Sequence, residues 1–356
     1  MLIVIDTGLS TTKVAGLIGN RLLEASYPSI VVRGIVNEQA GGVYCIGKSP
    51  TNFQIYSVLA YEQGLFPTIP NSFRDPANAR RRILVEHAMA KLGVKGKTNI
   101  ILTQPAPWLF PGGEDKTGEL REAEATLLKM AVSTIDMTSG RPTESVWKLS
   151  QVTASPEAVW GIYDLAITSS GAALDDLGEF SRTQVEIGAT VAVVDFGATG
   201  TRVHYVEWTG EPLPTLEMSR YREFPLGVAT VIDEIDARLV DRHRYRDVID
   251  LPKLRHDPSI IVAGARTDVA ELIEESARAV GDMLLDAGLD QLHGEVQAKT
   301  VDHVLFVGGG THVLGGIVAE NLPADAVLSV PDPCMAPARG LLKARTASAT
   351  NGGGRS

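Results

Sequence analysis

The sequence has few cysteines and no long apolar segment. Its two cysteines, Cys45 and Cys334, are too few for a disulfide framework. We expect both to be buried as small apolar residues of a cytoplasmic protein. No apolar run is long enough to span a bilayer, so we predict no membrane association. The start, MLIVIDTG, lacks the basic segment and small-residue cleavage site of a signal peptide, and we interpret it as a strand.

Positive charge is also scarce. The 33 Lys and Arg residues are outnumbered by 43 Asp and Glu, which gives a net charge of −10 and argues against direct nucleic-acid binding. The seven histidines show no HxxxH or HExxH spacing, so we predict no zinc site. Two basic clusters, Arg80–Arg82 and Arg242–Arg246, are expected to be solvated faces, with a filament contact or an anionic partner as the alternative.

Apolar residues make up 44% of the 356 positions, enough to bury the core of two domains or of one two-lobed unit. Their periodicity predicts strands and helices that follow each other along the chain. The predicted strands cover residues 2–6, 12–17, 21–27, 42–46, 99–103, 146–153, 191–195, 202–208, 302–307 and 327–330, and the predicted helices cover residues 77–91, 115–130, 156–165, 228–240, 268–292 and 336–345.

One strand-and-turn motif occurs twice. VIDTGLSTTKV at residues 4–14 and VVDFGATGTRV at residues 193–203 share the same order of features. Each has an apolar strand, an aspartate, a glycine, a hydroxyl-rich turn, a long basic residue and a second strand. This repetition predicts two similar halves whose turns face each other across a cleft.

The composition of these turns suits phosphate groups. Glycine lets backbone N–H groups approach and surround an anion, and hydroxyls and a lysine add donors and charge. Asp6 would repel phosphate unless a cation such as Mg²⁺ lay between them, and Asp195 supplies a matching acid. An ordinary hairpin turn has a similar composition, so either turn alone leaves both interpretations open.

A third motif, HVLFVGGGTHVL at residues 303–314, predicts a strand, three glycines and a helix. Glycines at such a junction let a flat ring or a ribose press against the backbone, and the start of a helix favours negative charge. A tight strand-to-helix turn is the alternative interpretation.

In this order, the motifs resemble those of the actin, DnaK-chaperone and sugar-kinase superfamily, and most closely the ParM/StbA group of actin-like plasmid segregation proteins. The resemblance runs from Met1 to about Lys343. It includes ILTQPAPWLF, VTASPEAVWG and FPLGVATVIDEI, which begin at residues 101, 152 and 224. It implies an α/β actin-like fold of two lobes, with duplicated ribonuclease-H-like subdomains around a nucleotide cleft.

The implied domain division follows that fold. It places the first lobe at residues 1–165 with a subdomain inserted at about 28–90, a linker at 166–190, the second lobe at 191–330 with an inserted region at about 240–265, a helix that packs back at 331–345 and a disordered tail at 346–356.

The resemblance also implies roles for particular residues. Asp6 and Asp195 would organise Mg²⁺ and its water shell, and Glu157 would orient the attacking water. Taken alone, Glu157 also fits the first turn of a helix. The implied nucleotide contacts are Gly8, Ser10, Thr11, Thr12 and Lys13 in the first turn, Gly197, Ala198, Thr199 and Gly200 in the second, and Gly308, Gly309, Gly310 and Thr311 beside the ribose and base.

Two positions depart from the group's pattern. Thr7 stands where some members carry an acid, and Arg202 stands near where many carry another. The implied function is that of an ATPase, with GTP left open, which polymerises into dynamic filaments and moves plasmid DNA through a small DNA-binding adaptor. A small-metabolite kinase and a chaperone-like nucleotide switch are the alternatives.

Overall fold

The computed structural model describes residues 1–18, 21–33, 40–46, 54–59, 79–135, 142–166, 185–209, 215–245, 249 and 251–352. The first half contains strands β1 (Leu2–Thr7), β2 (Thr11–Ile18), β3 (Arg21–Pro28), β4 (Val31–Arg33), β5 (Ala40–Ile46), β6 (Gln54–Leu59), β7 (Gly96–Gln104), β8 (Val132–Ile135), β9 (Pro142–Glu144) and β10 (Trp147–Pro156), and helices α1 (Ala79–Lys91), α2 (Ala106–Leu109), α3 (Thr117–Leu128) and α4 (Gly161–Ala166).

The main sheet of this first lobe is ordered β10-β7-β1-β2-β3. Its strand β1 pairs antiparallel with β2 and parallel with β7. The apolar residues Ile3, Val4 and Ile5 are fully buried, because both faces of β1 are covered. A smaller sheet, β4-β6-β5-β8-β9, is assembled from two separate segments, residues 31–59 and 132–144, and α1 packs against both sheets.

The second half contains strands β11 (Thr190–Phe196), β12 (Thr201–Glu207), β13 (Thr215–Leu216), β14 (Arg222–Phe224), β15 (Ser259–Val262), β16 (Ala265–Asp268), β17 (His303–Val307) and β18 (Val327–Leu328), and helices α5 (Val228–His243), α6 (Leu251–His256), α7 (Ala270–Leu284), α8 (Gln291–Gln297), α9 (Gly316–Ala319) and α10 (Ala336–Gly352). Its main sheet is ordered β13-β12-β11-β17-β18, with β14 paired to β12.

The central strands of the two lobes have the same partners. Like β1, β11 pairs antiparallel with the strand that follows it and parallel with a later one, β17. The register is also repeated, because Asp6 lies opposite Lys13 and Asp195 lies opposite Arg202. The expected duplication and mixed α/β architecture are therefore confirmed.

The two lobes share one apolar core. Helices α4 and α10 lie between the main sheets, where Trp160, Tyr163 and Leu341 pack against residues of both. The outer face of the first sheet packs against α1, and that of the second packs against α5 and α7. Asp164 of α4 accepts hydrogen bonds from Arg339 and Lys343 of α10, which joins the two helices by ion pairs as well as by apolar contact.

Several predicted boundaries are wrong. Strand β10 continues to Pro156 and α4 begins only at Gly161, so Glu157 does not lie in a helical first turn. The helix predicted over 268–292 is interrupted by a π-helical turn at Leu285–Leu289, because Gly288 adopts a φ of 116°. Helix α10 reaches Gly352, which corrects the disordered tail for residues 346–352, and the Thr346 hydroxyl bonds back to the Leu342 carbonyl.

The expectation of a solvated basic face at Arg80–Arg82 is also wrong for two of its three residues. Arg80 is exposed, but Arg81 and Arg82 are 2% and 3% exposed. Arg81 pairs with Glu124 and Arg82 with Glu86, so both charges are compensated inside the first lobe. Arg246 lies outside the described residues, as does most of the predicted linker at 166–190. No helix in the described part of the chain is long and apolar enough to cross a membrane.

Candidate functional site

A cavity of about 920 Å³ lies between the two lobes. Both repeated turns line it, from opposite sides. The predicted site residues among its lining are Asp6, Gly8, Ser10, Thr11, Lys13, Glu157, Asp195, Gly197, Ala198, Thr199, Gly200, Gly309 and Gly310. The fold thus gathers residues from three distant motifs around one space.

The first turn joins β1 to β2 and is held by Ser29, whose hydroxyl donates to the Gly8 carbonyl at 2.6 Å. Asp6 is the next-to-last residue of β1 and is 5% exposed. Its Oδ2 accepts from Lys13 Nζ at 2.9 Å, and its Oδ1 accepts from the Thr103 hydroxyl at 2.9 Å. Burial lowers the pKa of Lys13, but Asp6 and the more distant Asp195 outweigh it and raise that pKa above its ordinary value, so the ammonium stays charged.

The second turn joins β11 to β12 and closes through a hydrogen bond from Gly197 N to the Gly200 carbonyl at 2.9 Å. It lies directly on the start of α5, where Ala198 O accepts from Ala229 N at 2.8 Å. A Cβ atom on Gly227 would lie 2.7 Å from Gly197 O, so only glycine permits this approach. The start of α5 thereby fixes the turn at the cavity wall.

Glu157 lies just after β10, at the edge of the cavity. Its backbone N–H donates to the Gln104 carbonyl at 2.9 Å. The next residue, Ala158, has a φ of 66°, an unusual conformation for a residue with a side chain and one that often marks functional loops. The Glu157 carboxylate accepts from Arg202 Nη1 at 2.9 Å, so a side chain of the second lobe holds it.

Arg202 is surrounded by carboxylates. Besides Glu157, its Nη1 lies 3.6 Å from Asp195 Oδ2, and its Nε donates to Glu223 at 2.9 Å. Burial lowers the pKa of this guanidinium, but Glu157, Asp195 and Glu223 outweigh that effect and raise the pKa above its ordinary value. A permanent positive charge therefore lies between Glu157 and Asp195, two of the three acids that the sequence analysis singles out.

The glycine motif after β17 divides into two parts. Gly309 and Gly310 line the cavity, and Gly310 N donates to the Phe196 carbonyl at 2.9 Å. Gly308 has a φ of 88°, and a Cβ atom there would collide with the Asp195 carboxylate. Gly308 thus supports the site rather than lining it. The Thr311 hydroxyl donates to the Val307 carbonyl at 2.7 Å, and its neighbours His312 and Val313 line the cavity instead.

Thr12 also lies outside the cavity lining. It is fully buried, and its hydroxyl is 2.8 Å from the Ser29 hydroxyl. Cys334, expected in the core, lines the cavity and is partly exposed, whereas Cys45 is buried as expected. Burial raises the pKa of the Cys334 thiol.

Several lining residues are not among the site residues that the sequence predicts. They include Arg81, Thr103 and Gln104 from the first lobe and Val228, Ile232, Leu251 and His256 from the second. Arg81 Nε donates to the Thr7 hydroxyl at 3.0 Å, which joins α1 to the end of β1. The spacing of a basic run does not reveal such a contact, because its partners lie far away in the sequence.

The donor chemistry fits a hard cation held largely through water. Asp6 and Asp195 offer carboxylate oxygens, which Mg²⁺ prefers, but each already contacts a cationic side chain. Within the described ranges, no three His, Cys, Asp or Glu side chains form a group that could hold a metal ion. A cation held by these two carboxylates would therefore need further oxygen ligands from outside the described side chains.

No protein-family model and no curated protein sequence matches the chain. Solved structures match it over nearly its whole length. A 15-stranded ParM filament from Clostridium botulinum is 17% identical with a TM-score of 0.69, covering 97% of this chain and 99% of that one. The archaeal actin homologue Ta0583 in complex with ADP is 15% identical with a TM-score of 0.71, covering 98% and 99%. Bacillus thuringiensis ParM with AMPPNP is 15% identical with a TM-score of 0.66, covering 98% of each chain.

These structures share both lobes with the chain, so the fold expected from the sequence motifs is confirmed. At such low identity the likeness concerns the fold. The protein therefore has the two-lobed, actin-like α/β fold of the ParM structures and the archaeal actin homologue.

Proposed function

We propose that the protein is a cytoplasmic, actin-like nucleoside triphosphatase that binds Mg-ATP between its lobes and polymerises into dynamic filaments. The observation that carries this proposal is the pair of Asp–Gly turns, in equivalent register, that line one cavity from opposite lobes. The likeness to ParM with AMPPNP and to Ta0583 with ADP supports a nucleotide as the ligand.

Each group of lining residues suits one part of the nucleotide. Backbone N–H groups and hydroxyls of Ser10, Thr11 and Thr199 would bind phosphate oxygens, and Lys13 would add charge. Gly309 and Gly310 would lie beside the ribose and base, and Val228 and Ile232 of α5 offer an apolar wall for the base. Asp6 and Asp195 would hold the water shell of Mg²⁺, which neutralises the phosphate charge.

Glu157 would orient the water that attacks the γ-phosphate. Phosphoryl transfer demands mainly positioning and charge stabilisation, so a fixed carboxylate in line with the phosphate is the main requirement. The hydrogen-bonded backbone of Glu157 and its ion pair with Arg202 support this role. The remaining hydrolysis machinery would then be the two turns and the metal.

We further propose that the nucleotide state sets filament stability. A nucleotide that contacts both lobes favours their closed arrangement, and copies joined head to tail make a non-closing contact that yields filaments. The ParM filament of similar fold supports self-association. The net charge of −10 argues against direct binding to DNA, and we propose that a small DNA-binding adaptor links the filament to plasmid DNA.

Light scattering by the purified chain tests this function. Adding Mg-ATP should raise the scattering, which should fall again as ATP is consumed, whereas Mg-ADP should give a smaller rise. Glu157→Ala should lower hydrolysis by about 100-fold or more and leave filaments that persist. A flat trace with sugar-dependent ADP release would instead indicate a kinase. Normal hydrolysis by Glu157→Ala would refute the role of that residue.

A further inference from the structure

Arg202 connects the two lobes at the cavity. It lies on β12 of the second lobe, and its Nη1 is 2.9 Å from Oε1 of Glu157, which follows β10 of the first lobe. The same nitrogen is 3.6 Å from Asp195, and Nε is 2.9 Å from Glu223. One guanidinium thus links a carboxylate beside the proposed metal position to the carboxylate proposed to orient water.

The repeated turn in the first lobe offers an internal comparison. Lys13 occupies the register position equivalent to that of Arg202, and its ammonium donates to Asp6 of its own lobe. Arg202 alone of these two cations reaches a carboxylate of the opposite lobe. A guanidinium has donors on separate nitrogens in a rigid fork, so it holds Glu223 through Nε and Glu157 through Nη1, whereas an ammonium offers all its donors from a single nitrogen.

Burial explains why Glu157 needs such a partner. Only 15% of the Glu157 side chain and 6% of the Arg202 side chain are exposed. A carboxylate with so little water around it requires compensation by charge and hydrogen bonds. The backbone on either side of Glu157 is fixed by the bond to Gln104 and by the left-handed Ala158. The ion pair sets the direction of the side chain itself.

We propose that Arg202 is a positioning residue for hydrolysis, which acts by holding the Glu157 carboxylate in the direction that orients the attacking water. This inference rests on the proposed nucleotide hydrolysis and adds a residue to it. Because Arg202 belongs to the second lobe and Glu157 follows β10 of the first, the direction of the carboxylate depends on a contact between the lobes.

A double-mutant cycle tests this role. Arg202→Gln, Glu157→Gln and the double variant are compared for kcat and for nucleotide Kd, measured with a fluorescent ATP analogue. We expect Arg202→Gln to lower kcat by about 10- to 100-fold, the range that misplacement of a catalytic group causes, with a much smaller change in Kd. In the Glu157→Gln background, Arg202→Gln should lower the residual rate by less than about two-fold, because residues that act together are not additive.

Matched variants keep the test decisive. Arg202→Lys keeps the charge but loses the fork, so it should restore only part of kcat. Arg222→Gln on the neighbouring β14 removes an arginine that pairs with Glu295 away from the cavity, and it should leave kcat unchanged. If Arg202→Gln does not fold, Glu223→Ala removes the acceptor for Nε and should lower kcat several-fold, with no further effect in Glu157→Gln.

The outcomes separate the two proposals. If the wild-type protein hydrolyses no nucleoside triphosphate, the proposed function fails and the role of Arg202 fails with it. If the wild type hydrolyses ATP but the effects of Arg202→Gln and Glu157→Gln multiply independently, only the positioning role is overturned. A higher nucleotide Kd with an unchanged kcat in Arg202→Gln would also overturn the positioning role, since Arg202 would then serve binding alone.

Discussion

His204 is a buried base two residues beyond Arg202 on β12. It is 1% exposed, and neither ring nitrogen has a hydrogen-bond partner among the residues that the structure describes. Its ring lies 5.1 Å from that of Tyr221, centroid to centroid. Burial, assisted by the positive charge of Arg202, lowers the pKa of His204 to about 3. The folded protein therefore keeps this imidazole neutral.

This shift predicts loss of stability in acid. Between pH 6.5 and 3, His204 binds a proton in the unfolded chain but not in the folded protein. The free energy of unfolding therefore falls by up to about 1.4 kcal/mol for each unit by which the pH is lowered. His87, whose pKa burial lowers to about 4, adds to this loss. His204→Leu should reduce the loss between pH 7 and 5 by about 2 kcal/mol. Urea unfolding of the wild type and the variant at pH 7 and pH 5 measures this change in the free energy of unfolding.

The exposed His256 provides the control, and His256→Gln should retain the pH dependence of the wild type. At pH 7 we expect His204→Leu to be at least as stable as the wild type, because it removes two unpaired buried nitrogens. A variant with the same acid sensitivity as the wild type would show that His204 does not cause it.

Residue-scale contacts also mark a limit of the sequence analysis. The acids and glycines of the repeated turns are visible because the chemistry lies within a few consecutive residues. The burial of Arg81 and Arg82 is not visible in the sequence. Their partners come from distant segments, since Arg81 pairs with Glu124 and the Trp147 side chain donates to Glu86, the partner of Arg82. A basic run on a helix therefore predicts solvent exposure until its tertiary partners are known.

At the scale of elements, α10 lies very close to the start of α4. A Cβ atom on Gly340 would collide with the Trp160 carbonyl, so the two helices meet without a side chain between them. This crossing lies in the apolar core shared by the two lobes. The glycine is therefore required by packing, although glycine itself weakens a helix.

Gly340→Ala should lower the free energy of unfolding by about 1–3 kcal/mol, the usual cost of overpacking. Gly294 on α8 is the matched control, because a Cβ atom there has no neighbour within 4 Å. Gly294→Ala should stabilise the protein by up to about 1 kcal/mol. Chemical unfolding of both variants measures the difference. If Gly340→Ala and Gly294→Ala changed the free energy of unfolding equally, α10 would be able to move away from α4 without a loss of stability.

Most elements could be predicted from periodicity, but their ends could not. Strand β10 extends to Pro156 because it pairs with β7 up to Gln104, a contact invisible in the local sequence. The small sheet is a stronger case, since β5 pairs with β8 across more than eighty intervening residues. Local patterns identify strands, and long-range pairing decides where they end and which sheet they join.

At the scale of the whole molecule, the duplication carries the functional proposal. Each half brings one carboxylate, Asp6 or Asp195, and one turn to the same cavity. Neither half lines the cavity alone, so under the proposed function both lobes are needed to bind a triphosphate. The sequence reveals this arrangement because the repeat is local, whereas Arg202 as the bridge to Glu157 emerges only from the relative position of the lobes.

A ligand that contacts both lobes should stabilise the whole chain, and the effect should depend on the metal. Mg-ATP at 100 times its Kd should add about 2.7 kcal/mol to the free energy of unfolding. With EDTA the gain should be much smaller at the same ATP concentration, because the bare triphosphate faces the carboxylates of Asp6 and Asp195. Thermal unfolding followed by tryptophan fluorescence measures both gains. Asp195→Asn should reduce the difference between the stabilisation by Mg-ATP and by ATP with EDTA, since it removes one repelling charge and one proposed metal ligand together. Equal stabilisation with and without Mg²⁺ in the wild type would contradict a site in which these two acids act through a metal.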